Sequence, residues 1–266
     1  MVFYQMKKLH ATSFGASTVF EMSEEKPAAI PPPPWQRVPE RGKRKRRDPL
    51  TKEAIVEAAI RVLDAEGLAG FSMRKVAEAL NTGAASLYWH VGSKDGLFDL
   101  IFEEIIGEQV DEIPDPDPDG WQEQLKEVAR TMRRAILRHR DIVQLSVGRI
   151  PMGPNALRMS ERVLAILRSG GIPDELAVHS YLLMISVVNG FTLDEAGYEQ
   201  EAPEGAPSAE EAAQMVRTYF ESLPDEQFSN LKQVAQHFAM TDQDARFDLL
   251  IDLFVDGIAA RAASES

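Results

Sequence analysis

The chain has 266 residues, of which 44% are hydrophobic, and a formal net charge of −13, so it can form one large or two modest domains with a buried core. It contains no cysteine, which excludes a disulfide framework and a thiolate metal site and fits a reducing cytoplasm. We find no run near the ~18 apolar residues of a membrane-spanning helix, and no apolar stretch follows Lys7 and Lys8 as a secretory signal requires.

The first 40 residues show neither helical nor strand periodicity. Pro31 to Pro34, followed by Trp35, favour polyproline II over helix. A ligand for a proline-binding module and a disordered leader both fit this composition, and we expect the leader. Met22 is an alternative start within this segment.

Charge is distributed unevenly along the chain. Arg37 to Leu97 sum to +4, whereas the residues from Phe98 onward sum to −17. Six of the seven residues from Arg41 to Arg47 are basic. A nuclear localisation signal, a solvated tail and a DNA-contacting arm all fit such a run, and its place ahead of the first helix favours the arm. Its candidate DNA contacts are Arg41, Lys43, Arg44, Arg46 and Arg47.

The segment Thr51 to Glu66 has the pattern of an amphipathic helix that ends at Gly67. The expected buried stripe has helical spacing and consists of Ile55, Ala58, Ala59, Val62 and Leu63. We interpret this helix as the scaffold for the elements that follow.

Phe71 to Val91 reads as a short helix, a tight turn and a second short helix. Ser72 is a suitable N-cap for the first helix, and Asn81-Thr82-Gly83 supplies residues that tolerate the positive φ of a sharp turn. The expected apolar positions are Val76, Ala79 and Leu80 in the first helix and Leu87, Tyr88 and Trp89 in the second.

The second helix, from about Ala84 to His90, begins with small residues and carries bulk behind them. A helix that inserts its first turn into a major groove requires that order. The stretch therefore predicts a DNA-reading helix-turn-helix. A turn from Gly92 follows, and then a long helix that reaches about Val110. Lys94 lies at the start of this helix, where its charge and the free N–H groups can hold a phosphate.

The remaining chain predicts further helices and no strand or repeat. Asp111 to Gly120 alternates proline and acid, as in a stiff exposed connector; a calcium site would need a ligand spacing that is absent. The helices expected after it are Trp121 to His139, Asn155 to Arg168, Pro173 to Phe191, Ala209 to Leu223, Phe228 to Phe238 and Asp244 to Ala260. The fold class predicted is all-α: a three-helix DNA-binding domain followed by an α-helical ligand-binding and dimerisation domain.

These motifs resemble the tetracycline-repressor (TetR) family. The strings G-L-x-G-F-S-M-R-K-V-A-x-x-L, A-S-L-Y-W-H-V and G-S-K-D-G-L carry the resemblance at the N-terminal side. It implies that DNA is contacted by Ser72, Arg74, Ala84, Ala85, Ser86, Tyr88, His90 and Lys94. Gly83, Ala84 and Ala85 depart from the longer side chains usual there, and alanine can touch a thymine methyl but cannot hydrogen-bond a base edge.

The C-terminal part is similar to the same family through W-Q-x-x-L, R-R-A-I-L-R-H-R-D, a G-x-x-P turn and F-T-L. The resemblance implies a homodimer with a four-helix interface, built here from Pro173 to Phe191 and Asp244 to Ala260. Such a dimer presents two reading helices one DNA turn apart (~34 Å), which suits a palindromic operator in double-stranded DNA.

The effector site expected from the resemblance has changed chemistry. Ser146 stands where the repressor has a magnesium-binding imidazole, and Val128, Met132 and Tyr198 stand where it has Asn, Phe and Glu. We therefore expect no magnesium–tetracycline, no cofactor and no metal, but a more lipophilic small molecule, with a pocket lined by Val128, Met132, Ser146, Met184 and Tyr198. Plain core packing is the competing interpretation of these apolar positions.

No enzyme motif is present, and the residues predict a ligand-responsive transcription regulator of the cytoplasm, most simply a repressor, and not an enzyme. A non-specific or architectural DNA binder and a helical ligand binder or enzyme with a vestigial helix-turn-helix are the alternatives. The expected boundaries are 1–40 for the leader, 41–110 for the DNA-binding domain, 111–120 for the linker and 121–266 for the regulatory and dimerisation domain, with no membrane partner.

Overall fold

The computed structural model describes residues 50–146, 148–149, 151–199, 207–238 and 242–265. Within those ranges the chain is helical and has no strand, which confirms the expected all-α fold class. The leader and the basic run, with Arg41, Lys43, Arg44, Arg46 and Arg47, lie outside the described residues. The helices are α1 (Lys52–Gly70), α2 (Met73–Ala79), α3 (Ala84–Val91), α4 (Lys94–Val110), α5 (Trp121–Leu137), α6 (Ile142–Ser146), α7 (Pro154–Ser169), α8 (Asp174–Glu199), α9 (Ala209–Glu221), α10 (Asp225–Val234) and α11 (Gln243–Glu265), with a short 3₁₀ helix at Ala235–His237.

The chain divides into two compact units. The first contains the described residues up to Pro114 together with Arg134–Arg162, and the second contains Asp115–Arg133 and the described residues from Val163 onward. The sequence-based boundaries at 41–110, 111–120 and 121–266 remain a prediction.

α1 forms because its ends and its buried face are both specified locally. The Thr51 hydroxyl accepts a hydrogen bond from the Ala54 amide at 3.2 Å, which caps the first turn. Within the predicted stripe Ile55, Ala58, Ala59 and Leu63 are fully buried, while Val62 is only half-buried. Gly67 interrupts the helix with φ of 66°, as the predicted stop required, and helical turns resume to Gly70.

α2 and α3 form the expected helix pair. Ser72 accepts a hydrogen bond from the Lys75 amide at 3.3 Å, and Asn81, with φ of 49°, takes the left-handed position of the turn. Three of the expected apolar positions are exposed rather than buried. Ala79 is exposed because Met73, Val76 and Ala77 form the buried side of α2, and Tyr88 and Trp89 are exposed because Leu87 alone is buried in α3.

α4 is capped by Ser93, whose hydroxyl accepts from the Gly96 amide at 2.9 Å. Its buried residues follow helical spacing, and Phe98 packs against Phe71 with ring centroids 5.0 Å apart. This contact attaches α4 to the segment between α1 and α2, so α2, α3 and α4 belong to one core.

The core of the second unit lies between α8 and α11. Phe247, Ile251 and Val255 of α11 are buried together with Met184 and Val188 of α8. α8 extends well beyond the predicted end at Phe191, because Thr192 and Leu193 continue the helix and the Thr192 hydroxyl donates to the Val188 carbonyl at 2.7 Å.

A charged row joins α5 to α11 within the second unit. Lys126 pairs with Asp252 at 2.6 Å, and Arg130 pairs with Asp248 at 2.9 Å. Since the α5 numbers rise by one turn as the α11 numbers fall by one turn, the two helices run antiparallel.

Arg133 continues this row and is its most enclosed member. It binds Asp244 at 2.7 Å and the buried Glu195 of α8 at 2.5 Å, and its guanidinium lies 4.9 Å from the ring centroid of Phe247. These hydrogen bonds to carboxylates raise the pKa of Arg133 above its ordinary value, so its charge is permanent. The guanidinium therefore ties α5, α8 and α11 together.

Other differences from the sequence-based prediction are local. α6 was not expected, and α5 ends at Leu137, so His139 lies in the turn after the helix rather than on it. Phe228 interrupts α10 with φ of −129° instead of starting a helix, because the N-cap is Pro224.

Candidate nucleic-acid interface and effector-binding residues

α3 is presented by the first unit as a reading helix. Leu87 is fully buried and holds the helix, while Ala85, Ser86, Tyr88 and Trp89 are exposed. The helix begins at Gly83, without a side-chain cap. The predicted DNA contacts at Ala84 and His90 are half-buried on the same helix. This arrangement leaves the outer side of α3 available to a groove.

Trp89 is a candidate contact that the sequence-based reasoning missed. Its exposed fraction of 46% matches the 45% of Tyr88, and its indole meets the ring of His90 edge-on at 5.8 Å. The spacing contained the signal, because Trp89 lies two positions after the buried Leu87, on the opposite side of the helix.

α2 contributes Arg74 and Ser72 to the candidate interface. The side chain of Arg74 is 80% exposed and lies 3.4 Å from Glu78, a loose pair that leaves the guanidinium free to turn. The Ser72 hydroxyl is already engaged with the Lys75 amide, so its first role is to cap α2.

Lys94 lies at the start of α4, as predicted, but its ammonium group has internal partners. The Nζ atom donates to the Phe71 carbonyl at 3.3 Å and lies 5.4 Å and 5.2 Å from the ring centroids of Phe71 and Phe98. The residue remains exposed, so a phosphate contact from this position is still a prediction.

The predicted effector-binding residues are buried but fall in both units. Val128, Met132 and Met184 are buried in the second unit, and Ser146 is buried in the first. The Ser146 hydroxyl donates to the Val143 carbonyl at 2.7 Å. The side chain of Tyr198 lies outside the described part of the chain. Among the described residues, no group of three or more His, Cys, Asp or Glu side chains is arranged to hold a metal ion.

Two family models match the chain and together cover most of it. The model described as "Bacterial regulatory proteins, tetR family" matches residues 55–101, and "Tetracyclin repressor-like, C-terminal domain" matches residues 113–262. The chain belongs to the TetR family. TetR-family proteins are transcriptional regulators, and the helix-turn-helix found above falls within the first match.

Relatives and solved structures agree with this TetR-family membership. An HTH-type transcriptional regulator of Saccharopolyspora erythraea is 32% identical over 246 residues, which span 91% of this chain and 96% of the relative. The repressor DrrR1 of Streptomyces coeruleorubidus is 36% identical over 165 residues, which span 60% of each protein. ActR of Streptomyces coelicolor in complex with actinorhodin is 39% identical, with a TM-score of 0.75 over 83% of this chain and 100% of ActR. The chain is thus a ligand-responsive, DNA-binding transcriptional regulator.

In this TetR-family chain, residues 138–141 attach to α1 and α4 inside the first unit. The Nδ1 atom of His139 lies 3.1 Å from Asp64 of α1, and its buried Nε2 atom lies 3.5 Å from Glu108 of α4. The second distance suits an ion pair but exceeds an ordinary hydrogen bond, so Nε2 has no hydrogen-bond partner. Asp141 accepts a hydrogen bond from the Leu68 amide at 2.8 Å, directly after the Gly67 interruption.

Glu103 makes a further polar contact on α4. Its carboxylate accepts hydrogen bonds from the amides of Asn155 and Ala156 at the start of α7. Burial raises the pKa of Glu103 above its ordinary value, and the two amide hydrogen bonds oppose that rise without cancelling it. These contacts were not predictable from periodicity, because they join residues about fifty positions apart.

Proposed function

We propose that the chain is a homodimeric repressor that binds a palindromic operator and is released by a small molecule other than magnesium–tetracycline. The observation that carries this proposal is the presentation of α3, which Leu87 anchors while Ala85, Ser86, Tyr88 and Trp89 remain exposed. A helix held in this way enters a major groove with its outward side chains.

Exposed leucines on α8 and α11 support the dimer. Leu183 of α8 is 55% exposed and Leu253 of α11 is 65% exposed, and Val178, Leu182 and Leu249 are exposed on the same helices. Contiguous apolar exposure of this kind marks an interaction surface. Because α8 and α11 pack on each other, a two-fold contact between copies brings four helices together and covers these side chains.

α8 is also long and apolar enough to cross a membrane by length and composition, since Asp174–Gly197 has a mean hydropathy of 1.6. The expectation that no segment has the length and apolar composition of a membrane-spanning helix is wrong for α8. We favour a partner copy as the cover of α8. Its neighbour α11 carries Asp248 and Asp252 in ion pairs with α5, and charges of that kind are costly in hydrocarbon.

Contacts to DNA in this proposal come from four elements. α3 and Arg74 of α2 read the major groove, Lys94 binds the backbone, and the basic run from Arg41 to Arg47 adds phosphate or minor-groove contacts. Two such sets, ~34 Å apart in a dimer, fit a palindrome.

The effector in this proposal is lipophilic. Val128, Met132 and Met184 are buried apolar side chains of the second unit, which suits contact with an apolar molecule. ActR, solved with actinorhodin, makes a molecule of that kind the first candidate. The effector favours the conformer whose reading helices do not match the operator spacing, so binding shifts the population off DNA. The regulator is cytoplasmic and associates with the nucleoid when bound to DNA.

The decisive experiment selects bound sequences from random DNA and then screens small molecules for release. A sharp footprint over a palindrome that disappears when a lipophilic molecule is added supports the proposal. Uniform protection of DNA supports an architectural binder instead, and turnover of a bound molecule supports an enzyme.

Magnesium–tetracycline is the negative control in that screen. Because Ser146, Val128 and Met132 stand where the tetracycline repressor has its imidazole, Asn and Phe, we expect magnesium–tetracycline to leave the operator complex intact in an electrophoretic mobility shift assay. Release at drug concentrations that free a tetracycline repressor assayed alongside would contradict the effector assignment.

A further inference from the structure

The first turn of α3 presents very few hydrogen-bonding side chains. Leu87 fixes which side of the helix faces the core. Since side chains three and four residues apart are neighbours on a helix, the half-buried Ala84 lies one turn before Leu87 and Tyr88, and the exposed Ala85 lies one turn before Trp89. The side-chain groups left for a base edge in this turn are therefore two alanine methyl groups and the Ser86 hydroxyl.

The tip of α3 is also shallow. Gly83 is exposed, and a Cβ atom placed on it would meet no atom within 4 Å. No side chain caps the helix there, and Ala85 and Ser86 are exposed. Because no long side chain separates the helix from the groove floor, its alanine methyl groups can reach van der Waals contact, at about 4 Å, with groups on the bases.

Thymine is the base that carries a methyl group at the floor of the major groove, where alanine can contact it. We propose that Ala84 and Ala85 make this regulator select thymine methyl groups at the operator positions beneath the first turn of α3. This inference rests on the proposed operator binding. It assigns specificity at those positions to apolar contact, whereas Arg74 is left to read bases through hydrogen bonds.

The test uses the full-length protein and the operator recovered from random DNA. Each thymine of a half-site is replaced singly by uracil, which lacks only the methyl group, and affinity is measured by fluorescence anisotropy. We expect one or two positions per half-site at which uracil weakens binding about fourfold, which is the worth of one buried methyl group. Substitution in both half-sites should weaken binding about 16-fold.

Protein variants connect this penalty to the alanines. In Ala84→Gly or Ala85→Gly, the uracil and thymine operators should bind equally well at one of these positions, although overall affinity is lower. Ala65→Gly removes the methyl group of an exposed alanine on α1 and should keep the full penalty. Thermal melts followed by circular dichroism establish whether each variant is folded. If a glycine variant does not fold, the uracil scan of the unaltered protein still tests whether thymine methyl groups are read.

The outcomes separate this inference from the proposed function. Specific binding without any uracil-sensitive position overturns the methyl readout and leaves the regulator intact. A penalty that survives in both glycine variants overturns the role of these alanines. Absence of specific binding to any selected DNA contradicts the proposed function itself.

Discussion

Arg74 stands out among the candidate DNA contacts because the first turn of α3 offers so few hydrogen-bonding side chains. A guanidinium can donate two parallel hydrogen bonds to guanine, and the loose 3.4 Å pair with Glu78 does not prevent this. Arg74 is therefore the side chain of α2 and α3 best suited to bidentate readout of guanine, beside the single hydroxyls of Ser86 and Tyr88.

We predict that Arg74→Ala weakens operator binding about tenfold or more, because the loss of a bidentate base contact costs about 1–3 kcal/mol. Fluorescence anisotropy measures the effect, and gel filtration should find the dimer intact. Arg61→Ala is the matched control, since Arg61 is also an exposed arginine with a glutamate partner four residues away. Equal losses in both variants would mean that Arg74 contributes only general charge.

Glu103 shows how one half-buried carboxylate can cost stability while it holds a helix end. The charged form accepts hydrogen bonds from the first amides of α7, but burial favours the neutral form strongly enough to raise the pKa. A raised carboxyl pKa means that the folded chain binds a proton more readily than the unfolded chain. The stability linked to Glu103 is thus present in acid and is lost as pH rises through the folded pKa.

We predict that Glu103→Gln is as stable as the unaltered protein, or slightly more stable, near pH 7. Glutamine keeps an acceptor for Asn155 without the buried charge. The unaltered protein should gain stability relative to this variant as pH falls toward 4.5, the ordinary value for glutamate. Urea unfolding across this range measures the difference. Glu104→Gln changes an exposed neighbour, and its free energy of unfolding should vary with pH as that of the unaltered protein does. If the free energy of unfolding of Glu103→Gln also varies with pH in that way, the burial argument is contradicted.

Among the elements, α4 has several polar connections to residues distant in sequence. Arg149 binds Asp95 at 3.1 Å and also binds Asp99, Asn155 meets Glu103, and Arg138 reaches Glu108 at 3.0 Å. These acids lie about one turn apart along α4, so Arg138, Arg149 and Asn155 hold the helix along much of its length. A shift in those residues would move α4, which directly follows the reading helix.

The basic run ahead of α1 can be tested as a separate element. Deletion of residues 41–47 should flatten the salt dependence of operator binding, because each phosphate contact contributes about 0.9 to the slope of log affinity against log salt. The measurement is a salt titration of affinity for both chains. If the slope is unchanged, the run is a solvated tail.

Helix starts were accessible from sequence because capping is local: Thr51, Ser72 and Ser93 each accept a hydrogen bond from an amide three residues later. Periodicity failed for Ala79, Tyr88 and Trp89, because the exposure of each depends on where neighbouring helices lie. Contacts such as His139 with Asp64 escaped prediction because they depend on the folded path of the chain. The DNA-contact and effector residues themselves stay predictions.

At the scale of the whole molecule, the positive charge and the exposed apolar side chains lie in different parts of the chain. The region around the helix-turn-helix sums to +4 and the remainder from Phe98 to −17, so only the reading end is attracted to phosphates. The acidic part instead carries the exposed leucines of α8 and α11, which suits assembly with another copy.

We predict that Leu183→Asp and Leu253→Asp each produce monomers, because they place a charge in the proposed interface. Each side chain is more than half exposed in one copy, so the protomer should stay folded. Light scattering after gel filtration measures the mass, and operator affinity should fall with the loss of the second half-site contact. Leu157→Asp, at an exposed leucine of α7, should remain a dimer; dimers of unchanged stability in both interface variants would refute the assignment.

The exposed indole of Trp89 has an optical consequence. The chain has three tryptophans, and the ring of Trp121 packs against Gly170 while Trp89 faces solvent on α3. A water-facing indole emits at longer wavelength than an enclosed one and responds to what covers it. With Trp35 and Trp121 changed to phenylalanine, the emission of Trp89 would report operator binding and effector-driven release in real time, without any attached dye.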